Sequence, residues 1–305
     1  MTNISWSLRA ERLRRSAWLD AIRDAWLILM GGVVIRLLLP HALANSLRPL
    51  FLAAPLLPLV AKDLSHLPDA LARTRVVLAA RAWRKLPAAW LPPELVGLIR
   101  LDLDLRHGCL SWLRRRPQPQ MPAGRTFSYL ERGSYRTAFA IVLFSTFVEL
   151  PLNAAILPLF MHDPAELHVI HLLMLAGSLS TLAWVLGDRW LVGGGQHVLT
   201  EEGLQVRIGA RTHGTIPREA IASCERITEP MPDWLRRHGI DRRRAVLASP
   251  LDKPNIVLIF ASSSRVRLTH LGVEREGLSC VFLYLDHPHE LMGDDRISGG
   301  SRWRQ

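Results

Sequence analysis

Three cysteines, Cys109, Cys224 and Cys280, are all the thiols this chain holds. They stand far apart and are odd in number, which excludes a disulfide framework and a cysteine-based zinc site; buried or free thiols are expected. Catalytic signatures are equally scarce. The sequence has no GxSxG elbow, no Walker sequence, no glycine-rich dinucleotide fingerprint and no HExxH pair. No catalytic residue can be nominated, no cofactor is implied, and a non-catalytic role is expected. Charge is also thin: 21% of the 305 residues are charged, against 49% hydrophobic.

The apolar residues are not spread evenly. Residues 25–61 and 138–187 hold the long uncharged runs, whereas 62–135 and 188–305 have the composition of water-exposed protein. Such segregation points to a bilayer-embedded part with aqueous parts attached. Four transmembrane helices are expected, at 25–44, 49–61, 137–160 and 168–187. The first two are short and read as a tilted or partly re-entrant hairpin. The last two reach the ~20 residues needed to cross ~30 Å of hydrocarbon at ~1.5 Å per residue. A cleaved signal peptide is the alternative for the first, with the Ala-Leu-Ala of 42–44 as its cleavage site. Arg36 interrupts its apolar core and the basic region ahead of it is long, which favours a retained helix.

The formal net charge is +11. No nucleic-acid recognition motif accompanies it, so nucleic acid is not an expected partner. The basic residues instead flank the apolar runs. Residues 62–136 carry fourteen Lys plus Arg and the N-terminal flank five Arg, while the 161–167 connection has none and two acids. The positive-inside rule then places both termini in the cytoplasm of a multi-pass inner-membrane protein. The expected organisation is a cytoplasmic flank (1–24), a hairpin (25–64), a basic loop (65–135), two spans (136–188), a β domain (189–295) and a disordered tail (296–305). Within the basic loop, 69–86 predicts an amphipathic helix with Arg73, Arg81, Arg84 and Lys85 on one side. Residues 95–106 fit neither helix nor strand, and 114–125 read as an exposed linker.

Two ionisable residues stand inside expected spans. Arg36 and Glu149 lie at depths of about 16 and 20 Å from the cytoplasmic side at ~1.5 Å per residue. Opposite charges at similar depth are a candidate intramembrane ion pair. At the other end of the last two spans, His168 and His171, together with Glu166 or Asp163 and with His162 beside them, are candidate metal ligands.

From Trp190 the composition changes. Short β-branched or alternating runs at 197–200, 204–209, 212–217, 221–227, 245–249, 255–260, 265–269 and 279–285 are broken by turn residues and predict a small sheet or barrel. HPHELM at 287–292 predicts a closing helix. The opening HVLTEEGLQVRIG, the TIPREAIASCERI element, Pro254-Asn255-Ile256-Val257-Leu258 and the run Leu283-Tyr284-Leu285-Asp286-His287-Pro288 resemble bacterial pleckstrin-homology-like domains attached to helical membrane anchors. The resemblance implies a mainly-β, seven-stranded, partly open barrel capped by a helix, and says little about activity. The insertion at 229–244 departs from that pattern. Its Trp234, Arg236, Arg237, Arg242, Arg243 and Arg244 are candidates for contact with anionic lipid head groups or a protein partner. The expected function is a membrane-anchored, non-catalytic module. The alternative is a small oligomeric transporter or proton-linked protein built around Arg36 and Glu149.

Overall fold

The computed structural model describes residues 18–40, 43, 46–118, 120–160, 164–261 and 266–293; the side chains of Arg36, Lys85 and Glu166 lie outside that description. So do the expected tail at 296–305 and residues 42 and 44 of the candidate cleavage site. The chain forms two compact units, 1–96 and 97–305.

In the first unit, α1 (Trp18–Leu38) packs against α2 (Arg48–Ala53) and α3 (Leu56–Ala79). Asp20, Arg23 and Asp24 enter α1 near its start and Arg36 near its end. Only 25–35 are left uncharged, about 16 Å of helix, half of a hydrocarbon core. The expected second span is also cut short. The helix breaks at Ala54–Pro55, and the apolar start of α3 meets Lys62 and Asp63 after one and a half turns. Among the described residues, two helices rather than the expected four are long and apolar enough to cross a membrane, because charge and proline interrupt the first pair. The amphipathic helix expected at 69–86 stops at Ala79, where Arg81 adopts a left-handed conformation (φ 51°). A 3₁₀ turn and α4 (Leu86–Trp90) follow, and Arg73 Nε donates to the Ala89 carbonyl at 3.1 Å, capping α4.

Two helices among the described residues are long and apolar enough to cross a membrane, both in the second unit: Tyr135–Leu159 within α6 (Tyr135–Phe160) and Leu167–Val192 within α7 (Pro164–Val192). They pair with each other. Almost none of either apolar window is buried inside the protein, so neither is the core helix of a water-soluble fold. Before them, α5 (Pro93–Leu113) covers the stretch 95–106 that matched no pattern. Its buried face is Gly97, Leu101, Leu105, Gly108 and Cys109, a helical spacing masked in sequence by the apolar residues of its other side.

Among the described residues, ten strands form two sheets, ordered β1-β2-β3-β4-β8-β9 and β5-β7-β10-β6. Eight lie where runs were expected: β2 (Gln196–Leu199), β3 (Gly203–Ile208), β4 (Thr212–Pro217), β5 (Ile221–Arg226), β6 (Ala245–Ala248), β7 (Ile256–Phe260), β8 (Leu268–His270) and β10 (Cys280–Leu283). β9 (Val273–Arg275) and β1 (Arg125–Ser128) were not expected. The sheets do not close into one barrel. The core lies between them, with Leu204, Val206 and Ile208 of β3 meeting Ile256, Leu258, Val281 and Leu283 of the second sheet. The alternate residues of that sheet, Val257, Cys280 and Phe282, point outward and are covered by α8 (Met231–Arg237). The expected closing helix is present as α9 (Pro288–Met292), held by the fully buried Leu291.

β1 changes the architecture most. It pairs antiparallel with β2, from Arg125 opposite Leu199 to Ser128 opposite Gln196. The helical hairpin is thus inserted between two neighbouring strands of one sheet, whose first strand precedes the hairpin.

Candidate functional site

The foot of the α6–α7 hairpin is bound to the sheets by three carboxylates. Asp188, one turn from the end of α7, accepts from Arg211 at 2.6 and 3.2 Å and from the Tyr135 hydroxyl at 2.8 Å. Arg211, in the β3–β4 turn, also donates to the Pro250 carbonyl at 2.8 Å. Asp286, just beyond β10, is 5% exposed and accepts from Ser128 Oγ, Glu131 N and Arg132 N at 2.8, 2.8 and 2.9 Å. Asp252 accepts from Ser134 N, which lies immediately before α6. Gly195 completes the foot. It has φ +65°, and a Cβ there would stand 2.0 Å from Leu130. Every backbone donor bonded here lies in the segment joining β1 to α6, so the hairpin is fixed to the β domain at both ends.

These contacts orient the sheets. β10 ends at the foot through Asp286, and β7 begins there through Asn255, whose side chain bonds the Leu285 backbone at 2.7 and 3.0 Å. β6 runs parallel to β10, with Ala245 opposite Cys280 and Ala248 opposite Leu283. The start of β6 therefore lies opposite the start of β10, about 10 Å along the strand from Leu283 at ~3.3 Å per residue.

A cleft of about 540 Å³ opens at the foot, lined by Arg132, Arg226, Asn255, Asp286, His289 and Met292 among others. The Asp286 carboxylate faces it but is occupied by its three donors. Neither Arg132 nor Arg226 has an ion pair among the described residues, so the cleft carries positive charge. Arg132 stands three residues before the first residue of α6, within about 11 Å of chain.

The sequence-predicted arginines lie elsewhere. Arg242–Arg244 form an exposed 3₁₀ turn at the far end of β6, tied by Arg244 Nε to the Gly277 carbonyl at 3.3 Å. Arg236 pairs with Asp233, and Arg237 with Glu229 at 2.5 Å. Trp234 requires correction as a lipid-contact residue. It is 1% exposed, stacked on His238 at 3.8 Å and edge-on to Phe282 at 5.3 Å. Its indole cements α8 to the second sheet and reaches no head group.

The two remaining sets fall partly outside the described side chains, Arg36 and Glu166 among them. Glu149 is exposed on the apolar surface of α6, while Arg36 belongs to the other unit. His168 is exposed and His171 half-buried on α7; His162 and Asp163, like the side chain of Glu166, lie outside the described residues. The single close group of metal-ligating side chains among the described residues is instead His287, His289 and Glu290. Sequence reading passed over it as part of a closing helix, although the His-Pro-His-Glu spacing was there to be read. Cys109, Cys224 and Cys280 are free and buried as expected, and burial pushes the Cys224 and Cys280 thiols up to about 12.

No protein-family model matches the chain, and comparison with curated proteins and with solved structures finds no significant match.

Proposed function

We propose that the protein is a multi-pass, membrane-anchored, non-catalytic module of pleckstrin-homology-like character, whose cytoplasmic β domain takes anionic lipid head groups into the cleft at the hairpin foot. The observation that carries this is Arg132 and Arg226 lining one cleft beside the start of α6. If α6 and α7 span the bilayer, that cleft faces the head-group layer, where each arginine contributes about 1 kcal/mol of attraction to anionic lipid. The positive-inside distribution of arginine supports the cytoplasmic placement. Rigid attachment supports it too: a cleft fixed at the membrane surface loses little orientational freedom on binding.

A different role falls to Arg242–Arg244. They lie beyond the end of β10 that is away from the foot, at least about 10 Å along the strand from Leu283. The screening length at physiological salt is about 8 Å, so the charge of the same membrane reaches them weakly. An acidic protein surface is the second reading for this far end, supported by the exposure of all three side chains.

Native mass spectrometry of the full-length protein, released from vesicles of mixed phosphatidylglycerol and phosphatidylcholine, tests the assignment. Wild type is expected to retain phosphatidylglycerol preferentially. The Arg132→Ala/Arg226→Ala variant should lose that preference, and the Arg242→Ala/Arg243→Ala/Arg244→Ala variant should keep it. Unchanged retention in the first variant overturns the cleft as a lipid site.

A further inference from the structure

We propose that His287, His289 and Glu290, with Glu131 as a fourth donor, form a binding site for a divalent transition cation of the zinc type. One ligand atom from each of the three residues lies within 4.8 Å of the others. The two imidazole rings are nearly perpendicular, at 84°, with centroids 5.8 Å apart. They are therefore not stacked, and their nitrogens can turn toward a common point. From a different segment, between β1 and α6, the Glu131 carboxylate approaches His287 Nε2 to 3.9 Å.

Zinc bonds to imidazole nitrogen and carboxylate oxygen are about 2.0–2.2 Å, which in a tetrahedron sets the donors about 3.4 Å apart. Binding requires side-chain rotation to close the difference from the observed spacing, and Glu131, which stands outside that group of three, turns in from its contact with His287. The donor set also selects the class of ion. Two imidazoles beside carboxylates suit zinc, nickel or copper, whereas calcium and magnesium prefer an all-oxygen shell.

The backbone that carries these ligands is well held. Pro288 occupies the first turn of α9, Glu290 N donates to the His287 carbonyl at 3.1 Å, and Leu291 is fully buried. Immediately before them, Asp286 is clamped by its three donors. Little ordering remains to be done on binding, and His287 and Glu290 are half-buried rather than free in solvent. A bound cation would join α9 to the segment leading into the hairpin, bolting the end of the β domain to the foot of α6. The inference does not depend on the lipid reading. His289 is the one residue shared with the cleft, and the two assignments fail separately.

The test uses the full-length protein in detergent, stripped of metal by chelator and with no lipid added. Titration with zinc, and with cobalt as a visible-absorbing substitute, is expected to show one saturable equivalent per chain and the intense absorption of four-coordinate cobalt. His287→Ala and His289→Ala should each weaken zinc binding at least ~10-fold, and Glu131→Gln should weaken it without abolishing it. His168→Ala/His171→Ala should leave it unchanged. Zinc should also raise the melting temperature of wild type and not that of His289→Ala, which separates loss of the site from loss of the fold. Absence of saturable uptake by wild type, or uptake indifferent to both His287→Ala and His289→Ala, overturns the proposal. Phosphatidylglycerol retention measured in chelator decides the cleft independently.

Discussion

His197 shows what a single residue contributes to this fold. It is fully buried, its ring lies 4.8 Å from that of Tyr129, and its Nδ1 accepts from the Arg207 backbone N–H at 3.2 Å. That bond requires a neutral ring with the proton on Nε2. Burial lowers its pKa to about 3, and that of His270 to about 4. An unfolded histidine titrates near 6.5, so below that pH the unfolded state binds more protons than the native one. Stability from these residues is fully present above about pH 6.5 and is lost as pH falls toward their native values. Chemical denaturation at stepped pH should show the midpoint dropping across this window, with a shallower drop in His197→Gln. Equal slopes for the two proteins would show that the ring does not carry the effect. Trp234 teaches a complementary lesson. A tryptophan among five arginines reads as a membrane-contact motif, yet which face of a seven-residue helix is covered depends on a sheet distant in sequence.

At the level of elements, α5 and α7 cross with backbone close to backbone at a glycine. Gly187 of α7 lies so close to α5 that a Cβ there would stand 1.8 Å from the Leu105 carbonyl oxygen, and one at Gly108 would meet the Gly187 carbonyl at 2.8 Å. Asp102 sits on the same contact, bonded by Arg106 and by Trp184 Nε1, and these two donors hold its carboxyl below the usual range. Gly187→Ala should therefore push α5 away from α7. Limited trypsin digestion in detergent is expected to cut faster at Arg114–Arg116, where the exposed chain leaves α5, than in wild type. An unchanged cleavage rate would mean that α7 bends to absorb the methyl group. Nothing in the sequence around Gly187 announces this crossing, because small residues in an apolar run serve many purposes. Eight strands of 196–285 were legible, since turn residues bracket β-branched runs and the alternation survives locally; the three-residue β9 was not. Nor was β1. Arg-Thr-Phe-Ser offers a single apolar residue, and its pairing partner β2 lies beyond an entire helical hairpin. The first two expected spans failed for a related reason: hydropathy summed over a window hides where a charge or a proline divides it.

For the whole molecule, the question is how the hairpin and the sheets share stability. Asp188 joins them through the Arg211 guanidinium and the Tyr135 hydroxyl, with side chains 16% and 25% exposed in the Asp–Arg pair. Removing one partner of a largely buried pair leaves the other charge uncompensated, at a cost of about 2 kcal/mol here after allowance for residual exposure. Asp188→Ala should lower the denaturant midpoint of the β domain accordingly, although residue 188 lies in a helix. Asp188→Ala with Arg211→Leu should recover part of the loss. A midpoint unaffected by the single variant would show that the two parts unfold independently.

The insertion of the hairpin between β1 and β2 also sets an order of events during synthesis. A ribosome delivers Arg125–Ser128 first, then both apolar helices, and only then the strand that pairs with it. At roughly 5–20 residues per second, β1 waits several seconds for about 70 further residues before its partner emerges. The first sheet cannot be completed until both apolar helices have been made, and it is completed in register only if their ends return to the same side. Closure of the first sheet thus reports on the hairpin: a chain whose two helix ends do not return to the same side leaves the edge of β2 without its β1 partner.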